Sequence, residues 1–217
     1  MFTFGTSAYL KMISLNAKPQ RTEVRKRLIP SDDPYDFHRS LRPLANRMLA
    51  KGEDVESVFE SASRISATPE RNSVQAGLRT LLLWRDVHTA DLFEVKPHTH
   101  TSPQEIFRVK FTADFGTIID GKRCGVHLWN TKKPVIDARF STATLSIIRE
   151  FYPELDGLAV LSLIDSSLIW SSDETAYADL GRRLMTRLEN VILSVEEEIR
   201  DSGRDRPSPP SHPTPII

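Results

Sequence analysis

The sequence predicts an α/β chain of the α+β kind, with a helical N-terminal region, then a mixed sheet that contains a β-hairpin and flanking helices, and a long C-terminal helix. Three patterns predict this fold class. Apolar side chains between residues 35 and 86 recur at intervals of three and four, which is the helical period. Apolar and polar side chains alternate over residues 107–115, as in a half-buried strand. The helical period then returns over residues 174–200.

The composition is that of a globular chain with a core. Of the 217 residues, 39% are hydrophobic and 27% are charged, and the 29 basic side chains balance 29 acidic ones. A net charge of zero provides no overall field that would attract nucleic acid or a membrane surface. The single cysteine, Cys124, excludes an internal disulfide, and no apolar run approaches the roughly 18 residues that cross a bilayer. We therefore predict a cytoplasmic protein with no membrane partner.

Local composition divides the chain into three parts. Residues 1–34 mix short apolar pieces with turn formers and are predicted to be a partly flexible N-terminal arm. Residues 35–200 are predicted to form a single globular domain, helical over 35–86 and built of a mixed sheet and helices over 87–200. Residues 201–217 are proline-rich with little apolar content, which predicts a disordered tail.

The helical part is predicted to hold three helices. Gly52 ends the first, and Pro69, in a first-turn position after Thr68, begins the third. The stretch from Lys18 to Lys51 carries nine basic and four acidic side chains, a local excess of five positive charges. Such a cluster contacts phosphates or an acidic partner, or it is simply a solvated helix face with a flexible arm.

The sheet is predicted to contain a tight hairpin at Asp120-Gly121, a dipeptide typical of a two-residue type I′ loop. Pairing Ile119 with Lys122 then sets the register of the two strands. One face receives apolar or small pairs: Phe115 with Val126, Ala113 with Leu128, and Thr117 with Cys124. The other face receives polar pairs and a tryptophan: Asp114 with His127, Thr112 with Trp129, and Lys110 with Thr131.

The rest of the chain alternates helix, strand and helix. A helix with one apolar face ends at Pro153, and residues 158–164 form a continuous apolar run, as expected for a strand covered on both faces. Residues 168–170 form its short partner. The apolar stripe of the last helix packs in the core or, alternatively, forms a homodimer through residues 174–200.

This order of elements resembles the restriction-endonuclease-like, or PD-(D/E)XK, nuclease core over about residues 70–170. In that family an acidic residue opens the second strand, and an acidic-x-Lys triplet lies across the hairpin on the third. Ala113-Asp114 stands where the family has Pro-Asp, and the turn at 119–122 and the Lys132-Lys133-Pro134 exit are similar to it. The resemblance implies a Mg²⁺ site held by carboxylate oxygens, with a lysine that orients water.

Two residues depart from the family pattern. His127 stands in the place of the second acidic residue, and Trp129 stands in the place of the lysine. One carboxylate and one imidazole make a poor Mg²⁺ site, because Mg²⁺ prefers oxygen ligands. The sequence therefore favours a degenerate nuclease core that has lost its catalytic triplet.

Three hypotheses follow for function. The first is a non-catalytic nuclease-fold protein that binds a protein or nucleic acid through the 108–131 hairpin face and the basic N-terminal region, with binding residues Trp129, Lys110, Arg108, Arg25, Lys26 and Arg27. The second is a nuclease that uses Mg or Mn as cofactor, with catalytic residues Asp114, His127 and Lys132, the first two as metal ligands. The third is a regulatory interaction protein of an unrelated mixed fold.

Two further features have competing interpretations. His98-x-His100 projects two imidazoles to one side of an extended segment, which is half of a metal site or, between two prolines, a polar loop. Cys124 falls on the predicted core face of the hairpin, which predicts a small buried hydrophobe and not a nucleophile.

Overall fold

The computed structural model describes residues 1–29, 40–49, 51–88 and 91–204. These residues form seven strands and seven helices, which confirms the predicted α+β fold class. The strands are β1 (Phe2–Gly5), β2 (His98–Thr101), β3 (Phe107–Phe111), β4 (Phe115–Ile119), β5 (Lys122–Trp129), β6 (Gly157–Ser162) and β7 (Leu168–Trp170). The helices are α1 (Thr6–Ile13), α2 (Ala17–Leu28), α3 (Leu41–Leu49), α4 (Val55–Ser63), α5 (Thr68–Val87), α6 (Ala138–Arg149) and α7 (Thr175–Arg204).

The strands form two mixed sheets. In the four-stranded sheet, of order β4-β5-β6-β7, β5 and β6 are parallel and are connected through α6, whereas the two outer pairs are antiparallel. In the three-stranded sheet, of order β1-β3-β2, the first strand of the chain runs parallel to β3. The continuous apolar run predicted as a doubly covered strand is β6, all of whose residues are buried.

The hairpin has the predicted loop and register. Asp120 and Gly121 have φ of 52° and 76°, the positive values that a type I′ turn requires at both central positions. Phe115 pairs with Val126, and Thr117 pairs with Cys124. The turn dipeptide alone was sufficient to fix which side chains of β4 and β5 share a face.

The alternating pattern over residues 107–115 predicts one continuous strand before the hairpin, but the structure has two strands there. The predicted strand breaks at residues 112–114, so that β3 and β4 belong to different sheets. Lys110 therefore pairs with Gly5 and Thr99 instead of Thr131. The break allows β3 to bury its apolar side chains under α1 while β4 stays with β5, an arrangement that needs the N-terminal residues as a partner.

The N-terminal segment differs from the predicted flexible arm. β1 pairs with β3, and α1 buries Tyr9, Leu10 and Met12 completely in the core. α2 packs against α7. The short apolar pieces of this segment are thus strand and helix faces that the rest of the chain covers. The predicted arm's residues 30–34 and the predicted tail from 205 onward lie outside the described residues.

The long helix α7 begins at Thr175 and continues to Arg204, so residues 201–204, predicted as the start of the disordered tail, are helical. Its apolar stripe packs on α6 and α2, with Leu184, Leu188 and Ile192 buried. The stripe is therefore core packing, and a homodimer could not use it without opening the chain's own core. Within the described part of the chain, no helix combines the length and the hydropathy that a membrane span requires.

Candidate functional site

Asp114 and His127 meet as the predicted register requires. Asp114 lies where the chain passes from β3 to β4, and His127 lies on β5, with 3.3 Å between Asp114 Oδ2 and His127 Nδ1. The pair is not on a solvated face, because the His127 side chain is only 2% exposed and that of Asp114 only 9%. The pair is thus part of the interior, and its chemistry depends on what else surrounds it.

Arg42 of α3 completes this cluster, and sequence reasoning did not identify it. Its Nε donates to Asp114 Oδ1 at 2.9 Å, and its Nη2 lies 3.0 Å from His127 Nε2. The same Nη2 donates to Ser7 Oγ, at the start of α1, at 2.9 Å. One guanidinium therefore joins α1, α3 and the hairpin. We call Ser7, Arg42, Asp114 and His127 the Arg42 cluster.

The hydrogen bonds of His127 define its tautomer. Nδ1 lies 2.9 Å from the carbonyl oxygen of Thr112, which can only accept, so Nδ1 carries the proton. Nε2 then accepts from Arg42. Burial of the imidazole, together with the nearby Arg42 charge, lowers the pKa of His127 from 6.5 to about 4. His127 is therefore a neutral acceptor at physiological pH.

The Arg42 cluster does not fit a divalent metal ion. Asp114 Oδ1 already accepts from Arg42, and Oδ2 accepts from the backbone N–H of Leu128 at 2.7 Å. The lone pair of His127 Nε2 already accepts from Arg42, whose guanidinium is permanently charged. Among the described residues, no group of three or more His, Cys, Asp or Glu side chains is arranged to hold a metal. The nuclease hypothesis places the metal ion between Asp114 and His127. The guanidinium of Arg42 occupies that position.

Three side chains of the cluster contact one another in the same succession as a Ser-His-Asp catalytic triad. Ser7 Oγ lies 2.9 Å from His127 Nε2, and His127 Nδ1 lies 3.3 Å from Asp114 Oδ2. This order alone does not make a nucleophilic site. A general base works best with a pKa near the operating pH, and the pKa of His127 is about 4. The cavity beside Ser7 and Arg42 measures about 10 Å³, room for about one water molecule. The cluster is a polar network, buried at His127 and Asp114 and open to solvent at Arg42, and the cavity beside Ser7 leaves no room for an acyl substrate.

Trp129 contradicts its predicted role as an exposed binding residue. Its side chain is 1% exposed and belongs to the same apolar cluster as Tyr9 and Leu10 of α1. The prediction failed because it treated the first 34 residues as an arm and so left this face of β5 uncovered. The hairpin face over residues 108–131 is consequently not a continuous contact surface.

Lys132 does not join the Arg42 cluster. It lies beyond the end of β5 and lines a cavity of about 440 Å³ with Asn130 and one face of α5. Within the described residues, no hydrogen bond or ion pair links it to Asp114 or His127. The catalytic set Asp114, His127 and Lys132 of the nuclease hypothesis is therefore not assembled.

Arg108 and Lys110 lie on the solvent-facing side of the three-stranded sheet. Both are exposed, as are their neighbours Thr3 on β1 and Thr99 on β2. Neither basic side chain forms an ion pair with any described residue. We call this surface, defined by Thr3, Thr99, Thr101, Arg108 and Lys110, the outer sheet face.

The basic residues of α2 are in a different state. Arg27 pairs with Glu23 at 2.9 Å, and Arg25 lies 3.5 Å from Glu198 of α7. Lys26 is exposed on the same helix. The predicted basic region of the N-terminal segment is thus partly neutralised by acidic neighbours, unlike the outer sheet face.

The histidine pair His98 and His100 and the cysteine Cys124 all pack against other parts of the protein. The imidazole of His98 stacks on Phe151 with 4.2 Å between ring centroids, and His100 contacts the same ring at 5.1 Å. The histidines share one side of β2, as predicted, but they cover an aromatic ring instead of facing a third metal ligand. Cys124 is fully buried, which raises the pKa of its thiol and agrees with the prediction of a small core residue.

Comparisons with known proteins give little further information. No protein-family model matches the chain, and no curated protein matches it in sequence. Among solved structures, the chain is similar to the crystal structure of SSO0001, with 12% sequence identity and a TM-score of 0.37. The similarity covers 87% of this chain and 75% of that one. At this TM-score it supports no statement about fold family or function.

Proposed function

We propose that this protein is a non-catalytic, degenerate nuclease core that binds nucleic acid through the outer sheet face. The observation that carries the loss of catalysis is the position of Arg42. Its guanidinium contacts Asp114 and His127 at 2.9 and 3.0 Å, so the two residues that would hold a catalytic metal hold an internal cation instead.

A guanidinium can replace a metal ion as the positive charge beside Asp114. A buried carboxylate needs a compensating positive charge, and an arginine supplies one that is charged at all pH values of interest. Unlike a hydrated metal ion, the guanidinium brings no water to activate and no open coordination position. The pair Asp114 and His127 then serves stability and no longer serves hydrolysis.

The order of elements supports the nuclease-like core. The hairpin β4–β5 is followed by α6, by the buried parallel strand β6 and, after β7, by α7. Asp114 precedes β4, and His127 lies directly across the hairpin on β5, at the positions that the family resemblance gives to its two acidic residues. The departure from the family is in the chemistry of those positions.

Nucleic acid is the partner that the outer sheet face favours. Arg108 and Lys110 alternate with buried side chains on β3, so both point to solvent, and the residues paired beside them are threonines and a glycine. Basic side chains and hydroxyls are the groups that contact phosphate oxygens. Because these neighbouring side chains are short and project little from the sheet, a phosphate backbone can approach both Arg108 and Lys110.

The loss of catalysis is tested with plasmid DNA and the full chain. We expect no cleavage with Mg²⁺ or Mn²⁺, and no increase in melting temperature when either ion is added, for the wild type and Asp114→Asn alike. Cleavage by the wild type that Asp114→Asn abolishes would show an active nuclease and overturn the proposal.

The binding surface is tested by fluorescence anisotropy with labelled single- and double-stranded oligonucleotides. We expect the double variant Arg108→Ala/Lys110→Ala to bind more weakly and to reduce the slope of log K against log salt by about two, one for each lost phosphate contact. The matched control is Arg25→Ala/Arg27→Ala, which removes the same net charge from ion-paired positions and should change the slope less. Equal effects of the two double variants would exclude the outer sheet face as the site, and an absence of oligonucleotide binding would favour a protein partner.

A further inference from the structure

The cavity beside Lys132 has the composition of a small-molecule site. It lies where the parallel strands β5 and β6 end, between the segments that follow them and the side of α5. The carboxyl ends of parallel strands are a common location of ligand crevices in α/β sheets. Its volume of about 440 Å³ is within the range of roughly 300–1,000 Å³ typical of ligand pockets.

The polar side of the cavity is suited to an anion. Lys132 is exposed at the cavity and forms no ion pair with a described residue, and the amide of Asn72 and the hydroxyl of Ser73 lie on the facing helix. Of the described residues that line the cavity, none is acidic. A phosphate group would therefore meet one full positive charge and several neutral hydrogen-bonding groups without a repelling carboxylate.

One amide of the cavity is held in a fixed position. Asn130 is only 7% exposed, and its Nδ2 donates to the Ser73 carbonyl at 3.2 Å and lies 3.1 Å from the Ser73 hydroxyl. Gly77 makes room for it, because a Cβ at Gly77 would come within 3.1 Å of the Asn130 side-chain amide. Both hydrogens of Nδ2 are directed to Ser73, so Asn130 fixes the wall of the cavity beside α5 and does not supply a donor to a ligand.

The other side of the cavity is apolar. Leu163 and Ile164, which follow β6, line the cavity together with Ala76 of α5. The side chain of Ile164 is 45% exposed, so this part of the apolar wall is accessible to solvent. A flat ring would bury this wall, while its anionic substituent reaches Lys132.

From these observations we propose that the cavity binds a 5′-mononucleotide, with the phosphate at Lys132 and the base between Ala76 and Ile164. This site is separate from the outer sheet face and does not depend on the function proposed above. It also gives Lys132 a role that differs from catalysis at Asp114.

The test is calorimetric titration of the full chain with the four common 5′-mononucleotides, with adenosine, and with inorganic phosphate. At least one mononucleotide should bind at least tenfold more tightly than adenosine and phosphate, since only the complete molecule uses both walls. Lys132→Ala should weaken this binding about tenfold or more. Lys133→Ala, which removes the neighbouring exposed lysine outside the cavity, should change it by less than twofold.

A second variant keeps the charge and blocks the space. Ala76→Leu adds a side chain on the exposed face of α5 that projects into the cavity, and it should abolish mononucleotide binding with little change in melting temperature. The double variant Arg108→Ala/Lys110→Ala should leave mononucleotide binding unchanged. Failure of every mononucleotide to bind, binding no tighter than that of phosphate, or equal affinities of the wild type, Lys132→Ala and Ala76→Leu would each overturn the proposal.

Discussion

At the scale of single residues, Arg42 provides the most consequential contacts in the molecule. It contacts Ser7, Asp114 and His127, each of which lies 35 or more residues away from it in sequence. The Arg42 side chain itself remains 38% exposed, whereas Asp114 is 9% exposed. The arginine thus supplies, from the surface, the positive charge that the nearly buried carboxylate of Asp114 needs. If the arginine is removed, the free energy of unfolding falls because Asp114 is left without its charged partner.

Replacing Arg42 should therefore destabilise the protein well beyond the loss of a surface charge. We expect Arg42→Ala to lower the free energy of unfolding by about 2–3 kcal/mol, because a carboxylate is left without its charged donor. The matched control is Arg64→Ala, which breaks an exposed helical ion pair with Glu60 and should cost no more than about 0.5 kcal/mol. Urea denaturation measures both, and equal values would show that the Arg42 cluster contributes nothing special.

His127 should make stability depend on pH in the acidic range. In the unfolded chain it takes up a proton near pH 6.5, but burial holds its pKa near 4 in the folded state. The unfolded state thus binds more protons between these values, and stability falls as the pH is lowered from about 6.5 to about 4. The full contribution, present above pH 6.5, is about 3 kcal/mol. The difference in unfolding free energy between the wild type and His127→Gln should shrink over this window, and a constant difference would contradict the assignment.

At the scale of elements, the hairpin depends on its two-residue loop. Gly121 has φ of 76°, and nothing lies within 4 Å of where its Cβ would be, so a substitution there is strained by the backbone and not by a clash. Gly121→Val should cost about 1–3 kcal/mol. Gly5→Val is the matched control, since Gly5 has equally open surroundings but an extended backbone with φ of −72°. Similar denaturation midpoints for the two variants would mean that backbone strain is not the cause.

The elements also show which features sequence patterns can predict. The Asp120-Gly121 turn and the helical stripes of α5 and α7 are local signals, and each identified its element correctly. The break between β3 and β4 was not predictable, because its cause is a strand more than 100 residues away in sequence. Arg42 was missed for the same reason. In the sequence Arg42 is one of the nine basic residues between Lys18 and Lys51, and no local pattern relates it to Asp114.

At the scale of the whole molecule, the N-terminal segment is part of the core. Removing residues 1–14 would delete β1 and α1 and would take away the buried side chains Phe4, Tyr9, Leu10, Met12 and Ile13. Each buried apolar side chain contributes about 1.5–3 kcal/mol, and total stabilities are only about 5–15 kcal/mol. We expect the truncated chain to lose its cooperative thermal transition in near-UV circular dichroism. The control is a chain that ends after Arg204. Its melting temperature should equal that of the full chain, because the removed residues are proline-rich and have little apolar content to bury. A truncated chain that still melts cooperatively would mean that the first 14 residues are a dispensable cover.

The pairing of β1 with β3 has a consequence for the order of events on the ribosome. Because synthesis runs from the N-terminus, Phe2 leaves the exit tunnel more than 100 residues before its partner Phe107. At about 5–20 residues per second this interval lasts roughly 5–20 s. During that time the apolar side chains that β1 and α1 later bury beside β3 have no partner, so this segment of the nascent chain is open to chaperone capture and to aggregation.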